Sequence, residues 1–285
     1  MAHRAIYPRT GLEKKRDKEM NRIDALFTRL EKERKKAFIV YITAGDPALR
    51  TTERLVAELE KAGVDLVELG IPFSDPLADG PTIQKASQRA LSKGANIRSI
   101  LHMVRSVRKH VRLPIVFMTY YNLLLHYGLE RFVMDAKGSG ADGVIIPDLP
   151  PEEAKELIAI SRKADFATIF LAAPTSTKAR LKKIADKSTG FIYYVSLTGV
   201  TGARSRLPQD ISKNVGDLKR ITGKPICVGF GISTPSQVKR ILRLADGIIV
   251  GSAIIKVIEK NIGKKDLYKK VSSFVSKLEK AIHGK

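Results

Sequence analysis

The chain contains no tryptophan and a single cysteine, Cys227. One cysteine excludes an intrachain disulfide and points to a reducing compartment. It sits in the apolar run Pro225-Ile226-Cys227-Val228, where core packing is its expected role. The five histidines are scattered and no cysteine cluster joins them, so no metal site is expected. No stretch approaches the ~20 uninterrupted apolar residues of a membrane-spanning helix, and no membrane partner is expected. The first ten residues lack the apolar segment of a secretory signal, so the expected location is the cytoplasm. Two nucleotide-binding patterns are missing as well. Gly-x-x-x-x-Gly-Lys-Ser/Thr is absent, and no Gly-x-Gly-x-x-Gly follows the first strand-like run.

Acidic residues are scarce beside basic ones. Asp and Glu number 29 against 51 Lys and Arg, a formal net charge of +22. Such a field attracts polyanions. The basic residues, however, are spread along nearly every helical segment, as in Lys14-Lys15-Arg16, Arg105 to Arg112, Lys182-Lys183 and Lys264-Lys265. None of these stretches interleaves with aromatics that would stack on bases. The charge therefore reads as a lysine-rich solvated surface, and no nucleic-acid partner is expected.

What is present is an apolar share of 44% in 285 residues, enough for one large domain. Residues 1–20 are polar and basic and read as a flexible leader. From Asn21, the spacing of Ile23, Leu26, Phe27 and Leu30 predicts a helix that ends in the basic run Lys32 to Lys36. Eight short apolar runs follow, at residues 38–43, 66–69, 115–118, 143–146, 167–171, 191–195, 226–228 and 247–250. Helical segments separate them. One spans 49–62. Another spans 152–164 after Pro150-Pro151, and a third spans 178–187 after the capping candidates Ser176 and Thr177. A fourth spans 237–244 after Ser233-Thr234-Pro235. The last carries Leu267, Val271, Phe274, Val275, Leu278 and Ile282 on one face.

The strands are nearly all apolar rather than alternating, as a parallel sheet buried on both faces requires. Eight such units predict an α/β fold, a single (β/α)8 TIM barrel over residues 21–285. The extra N-terminal helix would cap its floor. The alternative is an open doubly wound sheet.

In a barrel the functional residues sit at the carboxyl ends of the strands and in the loops that follow. The run from Glu68 to Gln84, Glu-Leu-Gly-Ile-Pro-Phe-Ser-Asp-Pro-Leu-Ala-Asp-Gly-Pro-Thr-Ile-Gln, begins at such an end. It carries Glu68, Asp75 and Asp79 through a loop stiffened by Pro72, Pro76 and Pro81. Carboxylates at the mouth of a buried strand suit acid/base chemistry. By spacing alone, Asp75 and Asp79 fit equally well as turn formers and Glu68 as a solvated strand end. Glycine-bearing loops follow the sixth, seventh and eighth strands: Ser196 to Ala203, Gly229 to Ser233, and Gly251-Ser252-Ala253 opening a helix at Ile254. Three such loops on adjacent strands, one ending at a helix start, point to a phosphate site.

The Glu68 to Gln84 run resembles the signature of the tryptophan synthase alpha chain family. So, in the same order, do Thr43-Ala-Gly-Asp-Pro47, Tyr120-Tyr-Asn122, Ile146-Pro-Asp-Leu-Pro150, Gly199-Val-Thr-Gly202, Gly229-Phe-Gly-Ile-Ser233 and Gly251-Ser252. The resemblance covers residues 21 to 280. It implies the retro-aldol cleavage of indole-3-glycerol phosphate to indole and glyceraldehyde 3-phosphate, late in L-tryptophan biosynthesis. It implies Glu68 as the main acid/base group and Asp79 as the carboxylate facing the indole N–H. Tyr193 matches a position near that glutamate, and Tyr120, Phe230 and Ile145 match positions around the indole. Tyr41 stands where the family often has Phe. Thr201, Gly202, Gly231, Gly251 and Ser252 match substrate-binding positions, the glycines and Ser252 at the phosphate. No cofactor is implied in this chain. Pyridoxal phosphate is expected in a partner beta chain, in an alpha2beta2 complex, which would receive indole through a tunnel. The loops after the second and sixth strands would face that partner, with Asp75 as a contact candidate. Two other readings remain open: a stand-alone lyase releasing free indole, and an allosteric binding subunit.

Overall fold

The computed structural model describes residues 20–195, 209–229 and 231–284. Its strands are β1 (Ala37–Thr43), β2 (Leu66–Gly70), β3 (Ile115–Met118), β4 (Gly143–Ile145), β5 (Ala167–Ile169), β6 (Leu171–Ala172), β7 (Ile192–Val195), β8 (Ile226–Gly229) and β9 (Gly247–Val250). They form one parallel ladder in the order β5-β4-β3-β2-β1-β9-β8-β7-β6. Its two ends are halves of one stretch of chain, broken at Phe170. The Phe170 carbonyl accepts the Tyr193 N–H at 3.2 Å, while its own N–H turns to Ser188 Oγ at 3.3 Å. The eight expected strands are therefore present, the fifth in two pieces, and the break at Phe170 is where the barrel closes.

Alternation along the strands produces two cores. Phe38, Val40 and Ile42 of β1 point outward to the helices, in the larger core. Ala37 and Ile39 point inward and join Leu66, Val116, Ile145, Ile169, Phe191, Cys227 and Ile249. Both faces are apolar because both are covered, which is why the runs showed no period of two.

The helix before β1, α1 (Arg22–Lys32), closes the barrel floor. Its buried side chains are Ile23, Leu26, Phe27 and Leu30, and all four belong to the inner core. Phe27 meets Phe191 at 5.7 Å between ring centroids. Asn21 fixes the approach. Its Oδ1 accepts the Ile23 N–H at 2.9 Å, and its Nδ2 donates to the carbonyls of Asp142 and Asp165 at 3.1 and 3.0 Å.

Among the described residues eight helices make the outer wall: α2 (Leu49–Lys61), α4 (Ile97–Val107), α6 (Leu129–Ser139), α7 (Lys155–Lys163), α8 (Lys178–Lys187), α9 (Gln209–Ile221), α10 (Pro235–Leu242) and α12 (Leu267–His283). α2 packs on α4 and on α12, and α10 packs on α12. Three more helices are additional to that wall, α3 (Pro81–Ser92), α5 (Tyr121–Tyr127) and α11 (Ser252–Lys260), of which α5 packs on α6 and α11 on α12. α3 and α11 pack on each other and on β1.

Some expected boundaries move. The helix expected from Glu152 begins at Lys155, because residues 151–153 form a turn in which the Glu153 N–H reaches the Pro150 carbonyl at 3.0 Å. The tenth helix starts at Pro235 and ends at Leu242, not Leu244, with Thr234 and Gln237 in a reciprocal cap. Thr177 caps α8, whereas Ser176 Oγ accepts the Ala173 N–H and closes the preceding turn. The helix expected at Ile254 opens at Ser252.

Truncating the floor plug tests its weight. Phe27→Ala removes a buried ring and should lower the unfolding free energy by about 3–5 kcal/mol in urea titration. Thr28→Ala, on the exposed face of α1, should change it by less than about 0.5 kcal/mol.

Candidate active site

Along β2, Val67 and Leu69 face the outer core, so Glu68 faces the barrel interior. The ladder sets it level with Tyr41 on one side and Val116 on the other. Glu68 is 1% exposed, and neither carboxyl oxygen has a hydrogen-bond partner among the described residues. A carboxylate in that position would be stripped of water with nothing in exchange. Burial, aided by the charge of Asp79, accordingly pushes the Glu68 carboxyl up to about 8.

Asp79 ends the loop after β2, just ahead of Gly80, the N-cap of α3. Its placement follows from local bonds. The Asp79 N–H reaches the Pro76 carbonyl at 3.0 Å, and the Gln84 Nε2 of α3 donates to the Asp79 carbonyl at 2.9 Å. The Ala78 N–H donates to the Tyr120 hydroxyl at 3.1 Å, and the Phe73 ring lies 5.2 Å from that of Tyr120. Partial burial raises the Asp79 carboxyl to about 6, against a hydrogen bond from Tyr120 that favours the ion. The two carboxyls are thus set apart by environment. Between about pH 6 and 8, Glu68 holds its proton while Asp79 is charged.

Two tyrosines complete the inner wall. Burial, then the charge of Asp79, raises the Tyr41 phenol; burial, then Glu68, raises that of Tyr193. Both rings therefore lie near the carboxyl pair, Tyr41 level with Glu68 in the ladder. Tyr41 Oη lies 3.3 Å from Thr43 Oγ1. Each ring leans across a glycine on the neighbouring strand. A Cβ on Gly229 would come within 2.5 Å of the Tyr193 ring, and one on Gly70 would overlap the Tyr41 hydroxyl. Ile145 is fully buried in the inner core, level in the ladder with Met118 and Ile169.

At the adjacent rim, Gly251 follows β9 as the N-cap of α11, and Ser252 is the first residue of that helix. A Cβ on Gly251 would sit 3.2 Å from Tyr41 Cβ, so this helix start lies close against the tyrosine wall. Its first N–H groups and positive dipole end suit an anion. Gly231, after β8, has φ 26°.

Of the residues singled out by sequence, Glu68, Asp79, Tyr41, Tyr120 and Tyr193 come together, with Gly251 and Ser252 beside them. Thr201, Gly202 and Phe230 lie outside the described residues. Asp75 is exposed and accepts the Ser74 hydroxyl at 2.6 Å, apart from the carboxyl pair. The sequence reading missed Gly70 and Gly229, whose need for a bare Cα appears only once the strands are in register. It also missed Met118 and Leu171, half-buried and packed with Tyr193 in the inner core. Their signal is the two-residue step from Val116 and Ile169 along each strand. A cavity of about 740 Å³ lies at the opposite end, between α1 and the strand starts, lined by Asp24, Lys36, Lys224 and Asp246 among others. It contains neither carboxyl of the pair. Among the described residues no group of three His, Cys, Asp or Glu side chains could hold a metal ion.

Residues 27–283 match the sequence model of the family described as Tryptophan synthase alpha chain. The chain belongs to the tryptophan synthase alpha chain family. The alpha chain of Geotalea daltonii is 51% identical over 263 residues, covering 92% of this chain and 99% of that one. That of Caldanaerobacter subterraneus subsp. tengcongensis is 48% identical, covering 92% and 100%. In three dimensions the alpha subunit from Legionella pneumophila superposes with a TM-score of 0.86 at 39% identity, covering 92% of this chain and 98% of that one. A tryptophan synthase structure from Mycobacterium tuberculosis matches at 0.85 and 34% identity, covering 93% and 99%. Tryptophan synthase alpha chains are carbon–carbon lyases that cleave indole-3-glycerol phosphate in tryptophan biosynthesis, and they are not the subunit that binds pyridoxal phosphate. Among the described residues no helix is long and apolar enough to cross a membrane.

The raised Glu68 pKa has a stability consequence. Unfolded, the group titrates near 4.5; folded, near 8. The stability it contributes is full below pH 4.5, falls as pH rises, and is gone above about 8. Glu68→Gln, which cannot ionise, should unfold at higher denaturant than the unsubstituted protein at pH 9 and at nearly equal denaturant at pH 4.5.

Proposed function

We propose that this chain is the lyase subunit of a bienzyme complex and that Glu68 and Asp79 perform its retro-aldol step. The Glu68 proton goes to indole C3. The positive charge that develops spreads to the ring nitrogen, where the Asp79 carboxylate faces the N–H and stabilises it. Glu68, now a carboxylate, takes the proton of the hydroxyl on the attached glycerol carbon. The carbon–carbon bond breaks, its electrons return to the ring, and indole and glyceraldehyde 3-phosphate leave with Glu68 protonated again. One carboxyl serves as acid and then base because its pKa lies near the working pH. The observation that carries this reading is a buried Glu68, with no hydrogen-bond partner among the described residues, close enough to Asp79 to feel its charge.

Tyr41, Tyr120, Ile145, Tyr193 and Phe230 would surround the indole. Thr201, Gly202, Gly231, Gly251 and Ser252 would hold the glycerol phosphate. A pyridoxal-phosphate-dependent beta chain would dock over the loops after the second and sixth strands, in a cytoplasmic alpha2beta2 assembly. Support for that face comes from Leu77, a large apolar residue 94% exposed in the Asp75 loop. Residues 21–285 would form the catalytic domain behind a basic leader.

Glu68→Gln should lower kcat for indole-3-glycerol phosphate cleavage by about 10²-fold or more; near-normal turnover would remove Glu68 from this role. Asp79→Asn should slow the reaction while leaving the urea midpoint close to that of the unsubstituted protein. The pH profile of kcat/KM should be bell-shaped, with limbs near 6 for Asp79 and near 8 for Glu68. Steady-state cleavage with and without a beta chain separates the complex from a stand-alone lyase: strong activation supports the former.

A further inference from the structure

The helices α3 and α11 lie outside the ring of eight, and each starts at one half of the site. α3 begins directly after Asp79 and Gly80, and its Gln84 side chain holds the Asp79 carbonyl. α11 begins at Gly251 and Ser252. The two helices pack side by side and both rest on β1.

A single guanidinium joins them. Arg89, on α3, donates through Nε and Nη2 to Asp46 Oδ1 and Oδ2 at 2.8 and 2.9 Å. Its remaining arm, Nη1, donates to Glu259 Oε1 of α11 at 2.9 Å. Asp46 belongs to the loop after β1, with its side chain fully buried and its N–H on the Thr43 carbonyl at 3.2 Å. That loop is itself pressed against the end of α3, where a Cβ on Gly45 would come within 2.6 Å of Ala95 Cβ. The rigid fork of arginine thus touches three segments at once: the loop after β1, the helix of the acid loop, and the helix of the phosphate corner. Lysine, a point charge on a flexible stem, cannot span the same three positions.

We propose that Arg89, with Glu259 and Asp46, is a positioning residue that fixes the distance between the carboxyl pair and the phosphate corner. The inference rests on the function proposed above, since only a substrate held at both ends feels that distance. Indole-3-glycerol phosphate is such a substrate. Its phosphate is anchored at one end and its reacting bond lies at the other, so a small shift between α3 and α11 moves C3 off the Glu68 proton. Misplacement of this kind is costly to rate without any loss of contact at either end.

The Glu259 arm can be cut without exposing Asp46 to an unpaired state. The Arg89–Asp46 pair is buried on the aspartate side, but Glu259 is 40% exposed, and an ion pair so placed contributes little to stability. Glu259→Ala and Arg89→Lys are therefore compared with the unsubstituted full-length chain in three measurements: indole-3-glycerol phosphate cleavage, inorganic phosphate binding by calorimetry, and thermal unfolding. Glu259→Ala should lower kcat/KM by about tenfold with the phosphate Kd and Tm unchanged, and Arg89→Lys should lower it at least as much. A kcat/KM within twofold of an active unsubstituted protein in both variants overturns the inference. So does weaker phosphate binding in Glu259→Ala, which would place the damage in the phosphate corner itself, and so does a rate loss that only follows a fall in Tm. An unsubstituted protein that does not cleave the substrate would instead defeat the proposed function, and the inference with it.

Discussion

Burying a carboxyl with no hydrogen-bond partner among the described residues runs against the ordinary rule of a protein interior, and Glu68 is such a group. Glu68 reaches its position because strand alternation leaves it no other: Val67 and Leu69 on either side are committed to the outer core. Ionising it there is opposed first by lost hydration and then by the Asp79 charge. Among the described residues the proton is held by exclusion of water rather than by a dedicated partner. Such a group can give up its proton when a positive charge develops beside it and take one back as that charge is lost. Asp79, less buried and helped by Tyr120, falls on the other side of neutrality. The pair is useful because the two environments differ, although the side chains differ by one methylene.

The rest of the fold separates stability from chemistry along the barrel axis. At the floor, α1 seals the inner core with four apolar side chains, and Asn21 ties its start to the carbonyls of Asp142 and Asp165. At the mouth, glycines replace side chains wherever a tyrosine must lie flat across a neighbouring strand, at Gly70 and Gly229. The extra helices α3 and α11 belong to this end. They turn two strand ends into an acid loop and an anion-ready helix start; they pack on each other, and α11 also packs on α12 of the wall. The cavity at the floor shows that open volume alone does not mark a site; it lacks the carboxyl pair and the helix start that the mouth combines.

Much of this was legible in the chain itself. The eight apolar runs were found because a strand buried on both faces has a local signature, a short run of apolar residues with no polar alternation. The plug was legible from Ile23, Leu26, Phe27 and Leu30, whose spacing puts four apolar groups on one helical face. The resemblance carried by the Glu68 to Gln84 run named the family, because a motif of that length is itself a local property. Helix ends were read less well where two signals compete. Pro150-Pro151 resembles a helix opening, yet the chain makes a turn first and the helix waits until Lys155.

Amino-acid order alone thus determined the strands, the plug, the acid loop and the family, all of which depend on neighbours within a few residues. Tertiary structure decided the closure at Phe170, the placement of α3 and α11 at the mouth rather than in the wall, and the unpartnered burial that sets Glu68 apart from Asp79. Each of these depends on which distant strand or helix lies alongside. A carboxyl's hydration and a glycine's missing side chain acquire meaning only when groups far apart in the chain are brought into register.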